Sequence, residues 1–159
     1  MVEKWPPPRY VVKARFRAPL EFVYRWCTDY TPEDARHEAE AYERRILRRT
    51  SREVVYEDLA DTPNGWAWSR HVVELDPPDH WHSRSVGSHR AIDLDYRLAP
   101  RADGGTELTL IARRRPTPVG GRNASKAAWE RSVAASWRLF ARSLERDYRA
   151  AQASRRPRA

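Results

Sequence analysis

The stretch WERSVAASWRLFARSLERDY, residues 129–148, decides how the rest of the chain has to fold. Trp129, Val133, Trp137, Phe140, Leu144 and Tyr148 are separated by steps of 4, 4, 3, 4 and 4, which lays all six on one face of an α-helix. The pattern predicts a helix from roughly Ala124 to Gln152, with Asn123 or Ser125 at its N-cap. At 1.5 Å per residue a helix of this length is roughly 40 Å long. Its aromatic stripe must be covered by an apolar surface of similar reach, because leaving it in water forfeits the largest favourable contribution to folding.

That surface is supplied upstream. From Arg44 to Pro116 the hydropathy period is two. Candidate strands are Arg45 to Thr50, Glu53 to Ala60, Trp66 to Leu75, His80 to Val86, Ala91 to Ala99 and Thr106 to Arg115. Pro63-Asn64-Gly65, Asp76-Pro77-Pro78-Asp79, Gly87-Ser88 and Asp103-Gly104-Gly105 interrupt them at hairpin length. Ile92, Leu94, Tyr96 and Leu98 alternate with Asp93, Asp95 and Arg97, as an antiparallel meander with one wet face requires. Before the meander, Tyr10, Val12, Ala14 and Phe16 alternate with Lys13, Arg15 and Arg17 to give a first strand. Ala18-Pro19 ends it, and Pro opens a helix over Leu20 to Tyr30 with Leu20, Val23, Cys27 and Tyr30 on one stripe. Thr31-Pro32-Glu33-Asp34 predicts a second short helix, whose thin stripe of Ala35, Ala39 and Tyr42 suits a loosely held surface element.

With 159 residues the chain has room for one domain, assigned to residues 9–152, between a Pro-rich arm (1–8) and a basic frayed tail (153–159). An apolar share of 40% with seven Trp excludes wholesale disorder. No apolar run is long enough for a membrane span, and MVEKWPPPRY lacks the apolar stretch of a signal peptide. A cytoplasmic location is therefore expected, with at most transient membrane contact. The lone Cys27 agrees with a reducing compartment. Thirty basic against 22 acidic residues, a net charge of +8, would ordinarily suggest nucleic acid. Lysine, however, occurs only at Lys4, Lys13 and Lys126, so 27 of the basic residues are arginine, as GC-rich coding would produce. They are scattered and mostly flanked by acids, so nucleic acid is not the partner expected.

Arg17-Ala18-Pro19-Leu20-Glu21-Phe22-Val23-Tyr24 after the first strand and Val73-Glu74-Leu75-Asp76-Pro77-Pro78 between middle strands carry a resemblance. With the order strand, two short helices, six strands and a long helix, the chain resembles the START-like (SRPBCC, helix-grip) superfamily over roughly residues 9 to 152. The resemblance implies an α+β fold: a curved antiparallel sheet of about seven strands wrapped around the C-terminal helix, with a cavity for lipids, polyketides, isoprenoid quinones or other apolar molecules between them. Carriers, aromatase/cyclases, hydroxylase subunits and co-chaperones share the fold, so it does not decide function. Mapped onto this chain, the cavity would lie between Trp129, Val133, Trp137 and Phe140 and the inward residues Phe16, Ile92, Leu94, Tyr96, Leu108 and Leu110. Its entrance would be near Tyr30 and Tyr42. No cofactor and no universal catalytic motif are implied, and a monomer or homodimer is expected.

The remaining constellations are read from the residues. Trp129 and Trp137 either line a pocket or fill it, while Trp5 and Trp81 suit packing anchors. The strand Trp66 to Leu75 has two possible phases: with Val73 and Leu75 inward, Ser69 and His71 follow; with Trp66 and Trp68 inward, Arg70 and Glu74 follow. Either puts a polar group inside, and Arg70, His71 and Tyr96 are the candidates to orient a carbonyl, enolate or carboxylate. His80 and His82 share a strand face, but a third ligand would have to come from a neighbour that the sequence does not fix, and polar residues are expected after a Pro-Pro turn, so no metal site is expected. Cys27 on the helix stripe is expected to be a core thiol, and Arg113-Arg114-Arg115 a solvated strand end. There is no Gly-rich phosphate loop and no Gly-x-Ser-x-Gly elbow. The function expected is non-catalytic binding of a small, largely apolar ligand, whether lipid, polyketide, isoprenoid or aromatic. An aromatase/cyclase-type enzyme using the same pocket is the alternative, and a protein that binds RNA or an acidic partner through its basic surface is the third.

Overall fold

A computed structural model of the chain describes residues 9–37, 41–63, 65–88, 90–115 and 125–154. The Pro-rich arm with Trp5, together with Ala39, His89, Asn123, Ala124 and most of the basic tail, lies outside the described residues. Alternation of apolar and polar residues builds seven strands: β1 (Arg9–Phe16), β2 (Tyr42–Arg49), β3 (Glu53–Thr62), β4 (Gly65–Asp76), β5 (His80–Gly87), β6 (Arg90–Pro100) and β7 (Thr106–Arg114). The 3.6-residue periods give α1 (Leu20–Cys27) and α2 (Lys126–Ser154). All pairings are antiparallel in the order β1-β7-β6-β5-β4-β3-β2, so hairpins carry the chain from β2 to β7 and β1 closes the far side of β7. This is the α+β helix-grip arrangement, with a curved sheet around a long last helix. No helix among the described residues is long and apolar enough to cross a membrane.

Three local expectations are corrected. The second short helix is a 3-10 helix, Pro32–His37, with no buried residue, because its stripe is too thin to seat a full α-helix on the sheet. The first helix stops at Cys27 rather than Tyr30: the Thr28 hydroxyl donates back to the Tyr24 carbonyl at 2.7 Å, and Tyr30 turns the chain with φ +43°. β2 begins at Tyr42 rather than Arg45 and carries a register shift between Ile46 and Arg48.

The register sorts the inner face of the sheet into rows. Leu75, Trp81, Tyr96, Leu110 and Val12 are successive partners in one row, and Val54, Val73, Ser83, Leu94, Ala112 and Tyr10 in the next. Toward the β3–β4 and β5–β6 hairpins the rows turn polar. One reads Tyr56, His71, Ser85, Ile92 and Arg114, and the next Arg44, Asp58, Ser69 and Gly87. Gly87 has no alternative there, since a Cβ would sit 2.0 Å from the Trp68 carbonyl oxygen.

α2 closes the apolar rows. Trp137 meets Phe16 and Tyr96 edge-on at 6.1 Å and Phe140 at 5.3 Å, while Leu144 is fully buried one turn further on. Trp81 is sealed below them, stacked on Tyr96 at 4.7 Å and edge-on to Tyr24 of α1. Carboxylates fix the helix lengthwise: Glu130 accepts the Val11 N–H and Glu145 the Arg17 N–H, both at 2.9 Å, and Asp147 accepts the Trp26 indole N–H at 3.0 Å. Replacing Trp137 with alanine should therefore cost about 3–5 kcal/mol of unfolding free energy, read from urea denaturation. A loss under about 1 kcal/mol would mean that the ring is not the keystone of the helix-to-sheet contact.

Candidate functional site

Between α2 and the polar half of the sheet lies a cavity of about 540 Å³. Trp129, Val133, Trp137 and Phe140 line it from α2, and Ile92, Leu94, Tyr96 and Leu110 from β6 and β7. Tyr30 and Tyr42 border it after α1 and at the start of β2. Leu108 and Phe16, named with this group from the sequence, are fully buried elsewhere: Leu108 belongs to a lower row beside Leu98, and Phe16 lies under Trp137.

The phase of β4 is settled by Val73, which is fully buried, and by pairing to β3 and β5 without a shift. Ser69 and His71 consequently face the cavity. Arg70 does not, which corrects its assignment as a ligand-orienting group: it lies on the outer face, donating to Glu57 at 2.6 Å and 3.0 Å. Trp66 and Trp68 share that outward phase and are 67% and 40% exposed, although Trp68 still borders the cavity rim. His80 and His82 are also directed away from the cavity, His80 hydrogen-bonded to Asp95 at 2.6 Å and His82 3.6 Å from Asp93. No group of three metal-ligating side chains occurs among the described residues. Cys27 borders the cavity from α1, and burial, with the nearby Asp29 charge, pushes its thiol well above the ordinary range, making it a poor nucleophile.

The polar wall is built around an arginine that the sequence reading passed over. Arg44 shares the inward phase of Tyr42 and Ile46, and its side chain is only 6% exposed. Its guanidinium donates to both Asp58 oxygens, at 2.8 Å and 2.9 Å, to Asp34 at 2.5 Å and to the Tyr42 hydroxyl at 3.3 Å. It lies 4.1 Å from the centre of the Tyr56 ring. Burial disfavours its charge, but the hydrogen bonds it donates to Asp58 and the surrounding negative field more than offset this and hold its pKa above the ordinary value. Because Asp34 is on the 3-10 helix and Asp58 on β3, this one side chain ties the helix to the sheet.

Next to it, Tyr56 is stacked between neighbours, 4.4 Å from His71 at an interplanar angle of 7° and 5.3 Å from Tyr30. Burial pushes the Tyr30 phenol well up, which keeps it protonated. The His71 Nε2 is 3.0 Å from the Ser69 hydroxyl, which fixes the imidazole at the cavity wall, and 3.8 Å from the Asp58 carboxylate. Such a group can accept or return a proton at a bound carbonyl compound. Arg114, at the end of β7, also borders the cavity, with its guanidinium 5.6 Å from the Trp129 ring. Strand phase was the signal for both arginines: Arg44 follows Tyr42, and Arg114 follows Leu108, Leu110 and Ala112.

No protein-family model matches the chain, and no curated protein matches it by sequence. Solved structures do. The Zhui aromatase/cyclase of Streptomyces sp. R1128 superposes with TM-score 0.67 at 14% identity, over 89% of this chain and 93% of that one. A START superfamily protein from Mycobacterium smegmatis gives TM-score 0.63 at 11% identity, over 89% and 97%. The two-domain aromatase/cyclase of the steffimycin biosynthetic pathway gives TM-score 0.69 at 11% identity, over 94% of this chain and 52% of that chain. At these identities the likeness is one of fold.

Arg44→Gln should cost about 3 kcal/mol, because it leaves two partly buried carboxylates without their cation. The double variant Arg44→Met with Asp58→Asn should cost less than the sum of its parts in urea denaturation. Strict additivity would show that the pair is not coupled.

Proposed function

We propose that this chain, which has the START-like helix-grip fold, binds a small and largely apolar molecule bearing oxygen functions toward one end. The observation that carries this reading is the graded cavity of about 540 Å³ between α2 and the sheet. Aromatic rings from α2 and β6 offer flat contact area, and the rows of His71 and Arg44 supply hydrogen-bonding groups on the facing wall. Such a site takes a polyketide-like, aromatic, isoprenoid or lipid molecule by removing apolar surface from water, at roughly 25 cal/mol per Å² buried, and orients it through a few polar contacts. Solved aromatase/cyclase and START proteins on the same fold support a cavity ligand of this kind.

A second reading is favoured by one observation. His71, held by Ser69 through Nε2 at the cavity wall, would on this reading remove a proton from an activated carbon of a bound carbonyl compound. The carbanion would attack a ketone carbon of the same molecule to form the ring bond, with the proton passing to the new alkoxide; removal of a second proton from the adjacent carbon and its return to the departing hydroxyl would then expel water, as in an aromatase/cyclase.

Native mass spectrometry before and after organic extraction tests the binding. A defined small-molecule mass lost on extraction supports it, and Leu94→Trp, which fills the cavity, should abolish that mass while the fold is kept. A folded protein that carries no such mass and takes up none of a polycyclic aromatic, an isoprenoid or a fatty acid would refute the reading. If His71→Ala keeps binding but loses turnover of a poly-β-ketone substrate, the protein is a catalyst; unchanged turnover removes the second reading.

A further inference from the structure

We propose that Arg114 is an anion anchor of the cavity and that the ligand carries a carboxylate, which the guanidinium holds against the Trp129 end of the site. The proposal deepens the binding function above and rests on it. β7 contributes Leu108, Leu110 and Ala112 to the inner face, all buried, and then, in the same phase, Arg114. An arginine there needs an acceptor, because a guanidinium carries five N–H donors and cannot shed its charge. Arg44, a second inward strand arginine, is neutralised by Asp34 and Asp58. Arg114 has no such neutralisation among the described residues, and its Nη1 is a buried donor without a hydrogen-bond partner.

What Arg114 does have is a ring. Trp129 lies 5.6 Å from its guanidinium carbon, close enough to support the cation through its face. Contact through a π face does not use the in-plane N–H groups, and these are the ones that match a planar carboxylate in two parallel hydrogen bonds. The carboxylates that border the cavity, Asp29 between α1 and the 3-10 helix, Asp34 on that helix and Asp58 on β3, belong to other elements than β7, and β3 is four strands away from it. An unsatisfied guanidinium donor at the cavity calls for a ligand with acceptors, which is why a carboxylate fits and an amine does not.

The test uses 1-pyrenebutanoic acid and its uncharged analogue 1-pyrenebutanol, titrated by fluorescence at pH 8 into the full chain and into Arg114→Gln. The wild-type chain should bind the acid at least tenfold more tightly than the alcohol, and R114Q should bind both with the affinity of the alcohol. Because the arginine serves the ligand rather than the fold, the melting temperature of R114Q should not fall. Equal wild-type affinities for the two probes, a preference for the acid that survives in R114Q, or a fall of several degrees in melting temperature would each overturn the anchor while leaving the pocket intact. Failure of the folded wild-type chain to bind either probe would overturn the pocket reading itself and the anchor with it.

Discussion

Everything in this molecule depends on a period of two held in register from β3 through β7 to β1 of the antiparallel sheet. Because partners on adjacent strands face the same side, one buried residue fixes the facing of a whole strand, and one strand fixes the next. Val73 at zero exposure determines that Ser69 and His71 look inward, and its pairing with Val54 and Ser83 carries the decision to β3 and β5. The gradient from apolar rows near Trp81 to polar rows near Asp58 is thus a property of the register. A slip of one residue in β4 would exchange His71 for Arg70 and put Trp68 into the cavity wall.

The second determinant is where α2 stops filling space. Around Trp137 and Leu144 its stripe is packed tightly against Phe16 and the lower rows, and this half is ordinary core. Nearer its N-terminal end, Trp129 and Val133 stand opposite the polar rows, where the facing side chains hydrogen-bond to one another. Shared hydrogen bonds keep those groups on the wall, and the space in between is left open. Stability and a binding site are drawn from opposite ends of the same helix.

Much of this architecture was legible in the residues. Steps of three and four set α2, strict alternation set the strands, and Ala18-Pro19 and Pro77-Pro78 marked breaks that the structure places between elements. The site was legible only in part. Ile92, Leu94 and Tyr96 could be placed because their outward neighbours are charged, which leaves one possible facing. Arg44 and Arg114 escaped because arginine on a strand usually faces water, as Arg15, Arg84, Arg97 and Arg113 do here, and ion pairs with Glu107, Glu74 and Asp95 hold three of these on the surface. Burial of Arg44 depends on Asp34, from a different element, and local composition does not report such a partner. The seven tryptophans also divide: Trp81 and Trp137 are core, whereas Trp66 and Trp68 lie on the outer face, because β4 takes its phase from valines.

The glutamates of α2 have one more consequence. β1 is the last strand on its side of the sheet, and Val11 and Arg17 would otherwise present their N–H groups to solvent. Glu130 and Glu145 occupy those two donors. A strand from another molecule seeking to extend the sheet would have to displace two carboxylates and lift the helix that carries them. The helix that roofs the cavity therefore also hinders strand addition along β1, at the two donors that its carboxylates hold.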